Sequence, residues 1–352
     1  MPKRYLILIS EAAQTCGVEE FARQLAVRLG DRGSRHVLDG AWGKFFRRLR
    51  DVDGVLLNFP IVAWKKTLLL PALTALAVRL KGREVVVVLH EWGALDWKRR
   101  MVLAPVAALA TRLVFSAPEI AEEFSSSTVS RLSAVDRRLI PIPPNLLPPT
   151  ERHISAARDT LDRQRAQGRM ILGQFGSIYP KKQSTAVLDV AARLLARGQD
   201  VFVVFVGSFV KAMDDVEQDF FRKVRSAGLE DRVLVTGYVG DDRELFGLFE
   251  AVDVFCYLFP EGLTSRRASV LAAALVGRPV VVNAPVRPDA LDHHSLYRRL
   301  IAARAVTLVP SDADFDAVAE AVLAAKSVDP QQLDLVAETD AVWREVAGTV
   351  AG

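Results

Sequence analysis

The chain has 352 residues, half of them hydrophobic and a quarter charged, and only two cysteines. That length and composition suffice to bury more than one core, which excludes a disordered polypeptide and a disulfide-held miniprotein. The formal net charge is +4, but residues 1–150 hold 22 basic and 14 acidic side chains, a net +8, whereas residues 151–352 hold 24 and 28, a net −4. The positive charge belongs to the N-terminal part alone.

Cys16 and Cys256 lie in unrelated contexts without spaced Cys or His companions, so neither a disulfide framework nor a structural zinc site is expected. A reducing cytoplasm is the plain reading. The opening MPKRYLILIS has five consecutive apolar positions before Ser10 and Glu11, too few for a signal sequence. The longest apolar stretch, 67–78, is interrupted by Pro71 and falls well short of the roughly 20 residues needed to span a bilayer.

Along the chain, short and mostly apolar runs at 5–9, 54–59, 85–90, 112–117 and 138–142 read as strands buried on both faces of a parallel sheet, with helical stretches at 19–29 and 68–80 between them. The alternation starts again with runs at 170–176, 201–207, 232–238, 252–258 and 278–283, separated by helical stretches at 186–197, 220–228, 245–250 and 270–276. Between the two sets, IPIPPNLLPPTERH carries five prolines from Pro141 to Pro149, which suits a stiff linker, and a charged helical run follows at 154–167. The expected fold is α/β, with two Rossmann-like doubly wound domains, 1–150 and 151–335. In such sheets ligands bind beyond the carboxyl ends of the strands, so two facing sheets would place the site in a cleft.

The strand ends therefore carry the functional candidates. After the first strand, Gly17 precedes an amphipathic helix with Glu19 and Glu20 in its first turn; the glycine either permits a tight turn or lets an anion or sugar approach the helix. The third strand ends in His90, Glu91 and Trp92, where a histidine is better placed for chemistry than on a core face. In the second set, the first strand runs into Gly176-Ser177-Ile178-Tyr179-Pro180-Lys181-Lys182, a glycine turn with two lysines ahead of a helix, suited to a diphosphate. Further on, Glu261-Gly262-Leu263-Thr264-Ser265-Arg266-Arg267 and Ser269 precede an Ala-rich helix, a concentration of donors that a phosphate-bearing ligand would use. Asp214-Asp215 and Asp241-Asp242 fall in polar connections and read as solvated charges, so no metal is expected.

The order of these pieces resembles the family-4 retaining glycosyltransferases of the GT-B fold. GQFGSIYPKKQ is similar to their phosphate loop through Gly176, Pro180 and Lys182. The stretch from Gly237 and Val239, with Tyr238 between them, through Ala251, Asp253 and Val254 to Glu261 and Gly262 is similar to theirs, as is the run through Gly277, Pro279, Val280 and Val281. CGVEEFARQLAVRL resembles their N-terminal glycine turn and helix, and TDAVWREVA resembles the terminal helix, 336–352, that returns to the N-terminal domain. The paired arginines resemble a subgroup with an Arg-Arg-Gly-Ser signature. Two positions depart: Ser177 stands where the family has arginine, and the second, ribose-binding glutamate falls on Ser269 or Ala272.

The resemblance implies transfer of a sugar from a nucleotide diphosphate sugar to an acceptor hydroxyl with retained configuration and without a metal cofactor. Lys182, with Arg266 or Arg267, would take the diphosphate; Glu261 would orient the sugar; His90 would contact the donor from the N-terminal domain. Gly17, Gly176, Ser177, Gly237, Tyr238, Gly262, Leu263, Thr264, Ser265 and Ser269 complete the expected donor site. In the basic half, KFFRRLR at 44–50, WKK at 64–66 and WKRR at 97–100 place aromatics beside bases, as at an anionic membrane interface, so a polyprenyl-linked saccharide is the expected acceptor and peripheral membrane contact the expected location. No nucleic-acid motif is present. A GT-B protein that binds a nucleotide sugar or glycan without turnover, and a nucleotide-sugar epimerase, are the competing readings.

Overall fold

The computed structural model describes residues 2–10, 17–67, 69–132, 135–144, 146–210, 215–328 and 333–352. The first part of the chain alternates β1 (Tyr5–Ile9), α1 (Gly17–Leu29), β2 (Gly33–Val37), α2 (Trp42–Leu49), β3 (Gly54–Phe59), α3 (Leu69–Leu80), β4 (Glu84–Leu89), α4 (Trp97–Leu109), β5 (Arg112–Phe115), α5 (Pro118–Ser125) and β6 (Asp136–Leu139). The second part follows as α6 (Ala156–Ala166), β7 (Met170–Phe175), α7 (Ser184–Ala196), β8 (Val201–Val206), α8 (Val216–Ser226), β9 (Val233–Val235), α9 (Asp242–Glu250) and β10 (Val254–Tyr257). It ends with α10 (Ala268–Ala274), β11 (Val280–Asn283), α11 (Ser295–Ala302), β12 (Val306–Val309), α12 (Phe315–Lys326) and α13 (Leu335–Ala351). These elements pack into two compact units, one of Met1–Asn145, Asp292–His294 and Ala337–Gly352, the other of Leu146–Leu291 and Ser295–Val336.

In the first unit six parallel strands lie in the order β2-β1-β3-β4-β5-β6. The central pair, β3 and β4, runs in register from Gly54 opposite Glu84 to Phe59 opposite Leu89, and the valines of β4 are buried because helices cover both faces. The second unit repeats the plan with the order β12-β11-β10-β7-β8-β9. Asp253 and Gly173 hold this sheet together. The Asp253 carboxylate accepts from the Ile171 amide at 2.7 Å and from Arg165 at 2.8 Å, tying the start of β10 to β7. Gly173 lets Val252 and Phe255 approach, since a Cβ there would lie 2.7 Å from a Val252 methyl.

The edges differ from expectation. β6 covers 136–139, not 138–142, because Asp136 through Leu139 pair with Arg112 through Phe115 and Pro141 has no N–H to continue the ladder. β2 and β12 were not foreseen: GSRHV is a polar edge strand, and in VTLV only the two valines at its ends are buried. β9 ends at Val235, short of 238, and Thr236 still donates its amide to Phe205 at 3.1 Å. The expected basic-aromatic clusters also divide. Phe45 and Trp64 are buried in the first core, whereas Trp97 stands out from the surface.

The C-terminal helix α13 packs on the first unit. Trp343 stacks on Phe21 of α1 with ring centroids 5.4 Å apart, Asp340 pairs with Arg28 at 2.5 Å, and Arg112 donates to the Val350 carbonyl at 3.0 Å. Trp343 is almost fully buried, so Trp343→Ala leaves a large cavity and should lower stability by roughly 3–5 kcal/mol, read as a shifted denaturant midpoint.

Candidate functional site

In the second unit, β7 ends at Phe175 and the chain turns at Gly176, whose φ of 116° is a conformation that side-chain-bearing residues rarely adopt. A Cβ there would lie 2.2 Å from the Lys182 Nζ and would displace the ammonium. Gly207, just beyond β8, presses on the same turn, with its own Cβ position 2.2 Å from the Gly176 carbonyl oxygen. Ile178 donates to the Ser208 carbonyl at 2.9 Å, closing the loop, and Pro180–Lys182 forms a single tight turn before α7.

Lys182 points back under this turn. Its ammonium donates to the Phe175 carbonyl at 2.6 Å and to the Ser269 hydroxyl at 3.3 Å, and lies 5.7 Å from the Tyr257 ring centroid. No carboxylate pairs with it among the described residues. Burial, and secondarily the nearby Arg267 charge, lower its pKa to about 7. The structure therefore holds a buried, only partly charged lysine at the carboxyl end of the sheet.

The other wall is the segment 261–269. Gly262 has a φ of 70°, and a Cβ there would lie 2.0 Å from the Ala284 carbonyl. Asn283, the last residue of β11, accepts from the Phe259 amide at 2.9 Å and donates to its carbonyl at 2.7 Å, fixing the bend. The paired arginines separate: Arg266 is exposed, whereas Arg267 turns inward over the Phe259 ring at 4.1 Å and pairs with Glu261. Tyr297 donates to the Arg267 carbonyl at 2.8 Å. Behind them, buried Tyr257 accepts from the Phe175 amide and donates to the Ser269 carbonyl, both at 3.1 Å, linking the two walls.

Gly176, Lys182, Ser269, Arg267 and Glu261 are thus brought together, as their order in the sequence suggested. Leu263, Thr264 and Ser265 are buried, which leaves little side-chain surface for a ligand. Ser177 is exposed on the turn. Beyond β9, Gly237 has a φ of 75° and Tyr238 is 86% exposed, a free aromatic face beside the strand end. Of the two positions where a ribose glutamate was sought, Ala272 is buried and the Ser269 hydroxyl is engaged by Lys182. Sequence reasoning missed Phe259, Tyr257 and Gly207. A glycine directly after β8 was a signal for the last, matching Gly176 after β7.

The first unit carries the other candidates. His90, just past β4, is mostly buried, with its Nε2 3.2 Å from the Asn58 Oδ1 and its ring edge-on to Phe21 at 4.9 Å. Gly17 opens α1, and a Cβ there would meet nothing within 4 Å. The negative group in that first turn is the protein's own: buried Glu19 accepts from the Ser10 amide at 3.1 Å, the Ser10 hydroxyl at 2.6 Å and Arg23 at 2.8 Å.

Comparison with known proteins bears on both units. Residues 169–326 match the family model described as Glycosyl transferases group 1. Solved structures resemble the chain over nearly its full length. Sucrose-phosphate synthase from Thermosynechococcus elongatus has a TM-score of 0.62 at 17% identity, covering 99% of this chain and 95% of that one. Anabaena HepE in complex with UDP and glucose has 0.60 at 15%, with the same coverages. WaaG, a glycosyltransferase involved in lipopolysaccharide biosynthesis, has 0.59 at 12%, covering 99% and 100%. The fold is that of the GT-B glycosyltransferases. No curated protein matches the chain by sequence.

Gly176→Ala would impose an unfavourable φ and push the Lys182 ammonium off the Phe175 carbonyl. The expected result is a loss of stability of about 1–3 kcal/mol, read as a lowered denaturant midpoint with the far-UV circular dichroism retained.

Proposed function

We propose that this protein is a metal-independent retaining hexosyltransferase that uses a nucleotide diphosphate sugar to extend a lipid-linked saccharide in polysaccharide or glycolipid assembly. The observation that carries the reading is the buried Lys182 under the Gly176 turn, with Arg267 and Ser269 against it. A cationic recess closed by main-chain turns stabilises the diphosphate that departs when the glycosidic bond to the donor breaks, the role basic side chains fill when no metal is used. The group 1 match over 169–326 and the UDP and glucose bound to Anabaena HepE support a nucleotide sugar as donor.

Within this reading, Lys182 and Arg267 bind the diphosphate, and Arg267 compensates for Ser177, which stands where a loop arginine would be. Arg267 also holds Glu261 in place before donor enters, so the carboxylate that orients sugar hydroxyls arrives positioned. Tyr238 offers its exposed ring to the base. His90 is held by Asn58 at the carboxyl end of the first sheet, the rim at which such sheets take ligands. The location that follows is the cytoplasmic face of the membrane, where lipid-linked saccharides are extended.

A second reading, donor binding without turnover, is favoured by one observation: the Ser269 hydroxyl that stands at the ribose position is already engaged by Lys182. Thermal shift with UDP, GDP, ADP and their sugars identifies the donor, since a ligand at 100 times its dissociation constant stabilises by about 2.7 kcal/mol. Release of nucleotide diphosphate with a lipid-linked acceptor then marks the enzyme, whereas donor binding with no release marks the silent protein and isomerisation without acceptor marks an epimerase.

The lysine also sets a pH dependence. A bound diphosphate favours charged Lys182 and raises its pKa above the free-site value of about 7, so the complex holds more proton than the free protein above that pH. Affinity for a UDP-sugar, whose esterified diphosphate does not titrate near neutrality, should be flat below pH about 7 and fall as pH rises beyond it, and Lys182→Met should bind more weakly and lose that slope.

A further inference from the structure

Helix α3 is apolar on two opposite sides. Pro71, Thr74, Ala75 and Val78 face the core, as a helix beside a sheet requires. Leu69, Leu73, Leu76 and Leu80, at spacings of four, three and four, form a second stripe that is 69%, 52%, 43% and 77% exposed. The neighbouring helix α4, which packs against α3, adds Trp97 and Met101, each 65% exposed and one turn apart. Six large apolar side chains thus stand exposed on two helices that pack together, a concentration that a protein surface seldom leaves uncovered.

The charges that the two helices themselves carry have one sign. Neither helix contains an Asp or Glu, while α3 carries Arg79 and α4 carries Lys98, Arg99 and Arg100, with Lys81 and Arg83 just beyond α3. Lys98 extends over the Trp97 ring at 5.7 Å, keeping its charge at the border of the patch, and Asp96, the carboxylate directly ahead of α4, caps the helix and pairs with Arg99 at 3.0 Å. An apolar stripe with an exposed tryptophan and a rim of bases has the composition of a surface that enters the headgroup region of an anionic bilayer. A partner chain would leave these bases to be matched by acids of its own; a second copy of this chain would bring the same bases against them.

We propose that the outer face of α3 and the start of α4, through Leu69, Leu73, Leu76, Leu80, Trp97 and Met101, docks on an anionic lipid bilayer. This rests on the reading above that the acceptor is lipid-linked and names the surface that would bring it. Both helices start at the carboxyl-end rim of the first sheet, after β3 and β4, the rim on which His90 lies. A saccharide held by a lipid in the bilayer would therefore reach that rim without the lipid leaving the membrane. The basic-aromatic runs at 44–50 and 64–66 take no part through Phe45 or Trp64, which are core residues.

Sedimentation with vesicles tests the surface without any donor or acceptor. The wild type should pellet with vesicles of phosphatidylcholine mixed with phosphatidylglycerol, weakly or not at all with phosphatidylcholine alone, and less as salt is raised. Leu73→Glu with Leu76→Glu should lower the bound fraction at least about tenfold, and Trp97→Gln by a smaller factor, with melting temperatures kept because all three side chains are exposed. Undiminished pelleting of the variants, or absence of wild-type binding to the anionic vesicles, would overturn the proposal. So would light scattering that shows a wild-type dimer which the leucine substitutions split, since the patch would then be covered by a second copy. Absence of nucleotide diphosphate release with a detergent-dispersed lipid-linked acceptor would instead count against the proposed function, because vesicle binding does not depend on turnover.

Discussion

A strand covered by helices on both faces can place a buried polar side chain only near its ends, where main-chain groups and loop atoms supply partners. Both sheets obey this constraint. Asn58 is the penultimate residue of β3, Gln174 that of β7, and Asn283 the last of β11, while Ser10, His90 and Ser116 each follow directly on a strand. All are buried and all lie at carboxyl ends. The chemistry available to this protein is concentrated there because the interior of each sheet, built from runs such as VVVV and VFVVFV, has no room for it.

Lys182 shows how far the constraint can be pushed. Its ammonium sits on a main-chain carbonyl and a hydroxyl, with an arginine nearby instead of an acid, and the Glu261 carboxylate is already committed to Arg267. Taking a cation out of water without a counterion is unfavourable, and the lowered pKa is the visible consequence. The glycines at 176, 207 and 262 make the arrangement possible, since at each one a Cβ would collide with the lysine or with a carbonyl.

Much of this was legible in the sequence, and the residues show why the rest was not. Strands in the middle of each sheet announced themselves because both faces are apolar; β2 escaped because an edge strand can be as polar as GSRHV and still pair with β1 over its whole length. Lys182 was recognisable from its spacing after Gly176, but its burial depends on Tyr257 and Ser269, contributed by other elements far along the chain. Arg266 and Arg267 are indistinguishable neighbours in sequence, and only the turn in which Arg267 donates its amide to the Thr264 carbonyl at 3.1 Å sends one outward and one inward. The leucines of α3 read simply as an apolar run. Which of them face water became visible only once the sheet occupied the other side.

The division of the chain has a consequence for anyone cutting or recombining it. The first unit includes Asp292–His294 and Ala337–Gly352, so the polypeptide passes between the units four times, and His294 lies fully buried with a ring nitrogen 2.9 Å from the Ile142 carbonyl. A fragment ending near residue 145 would expose the groove vacated by Trp343 and lose that histidine contact. Conversely, excising the segment that matches the Glycosyl transferases group 1 model, 169–326, would carry away three residues that belong to the first unit's packing. A chimera that exchanges the first unit for another protein's must therefore transplant three separate pieces of chain, and the shortest, Asp292–His294, is the easiest to overlook.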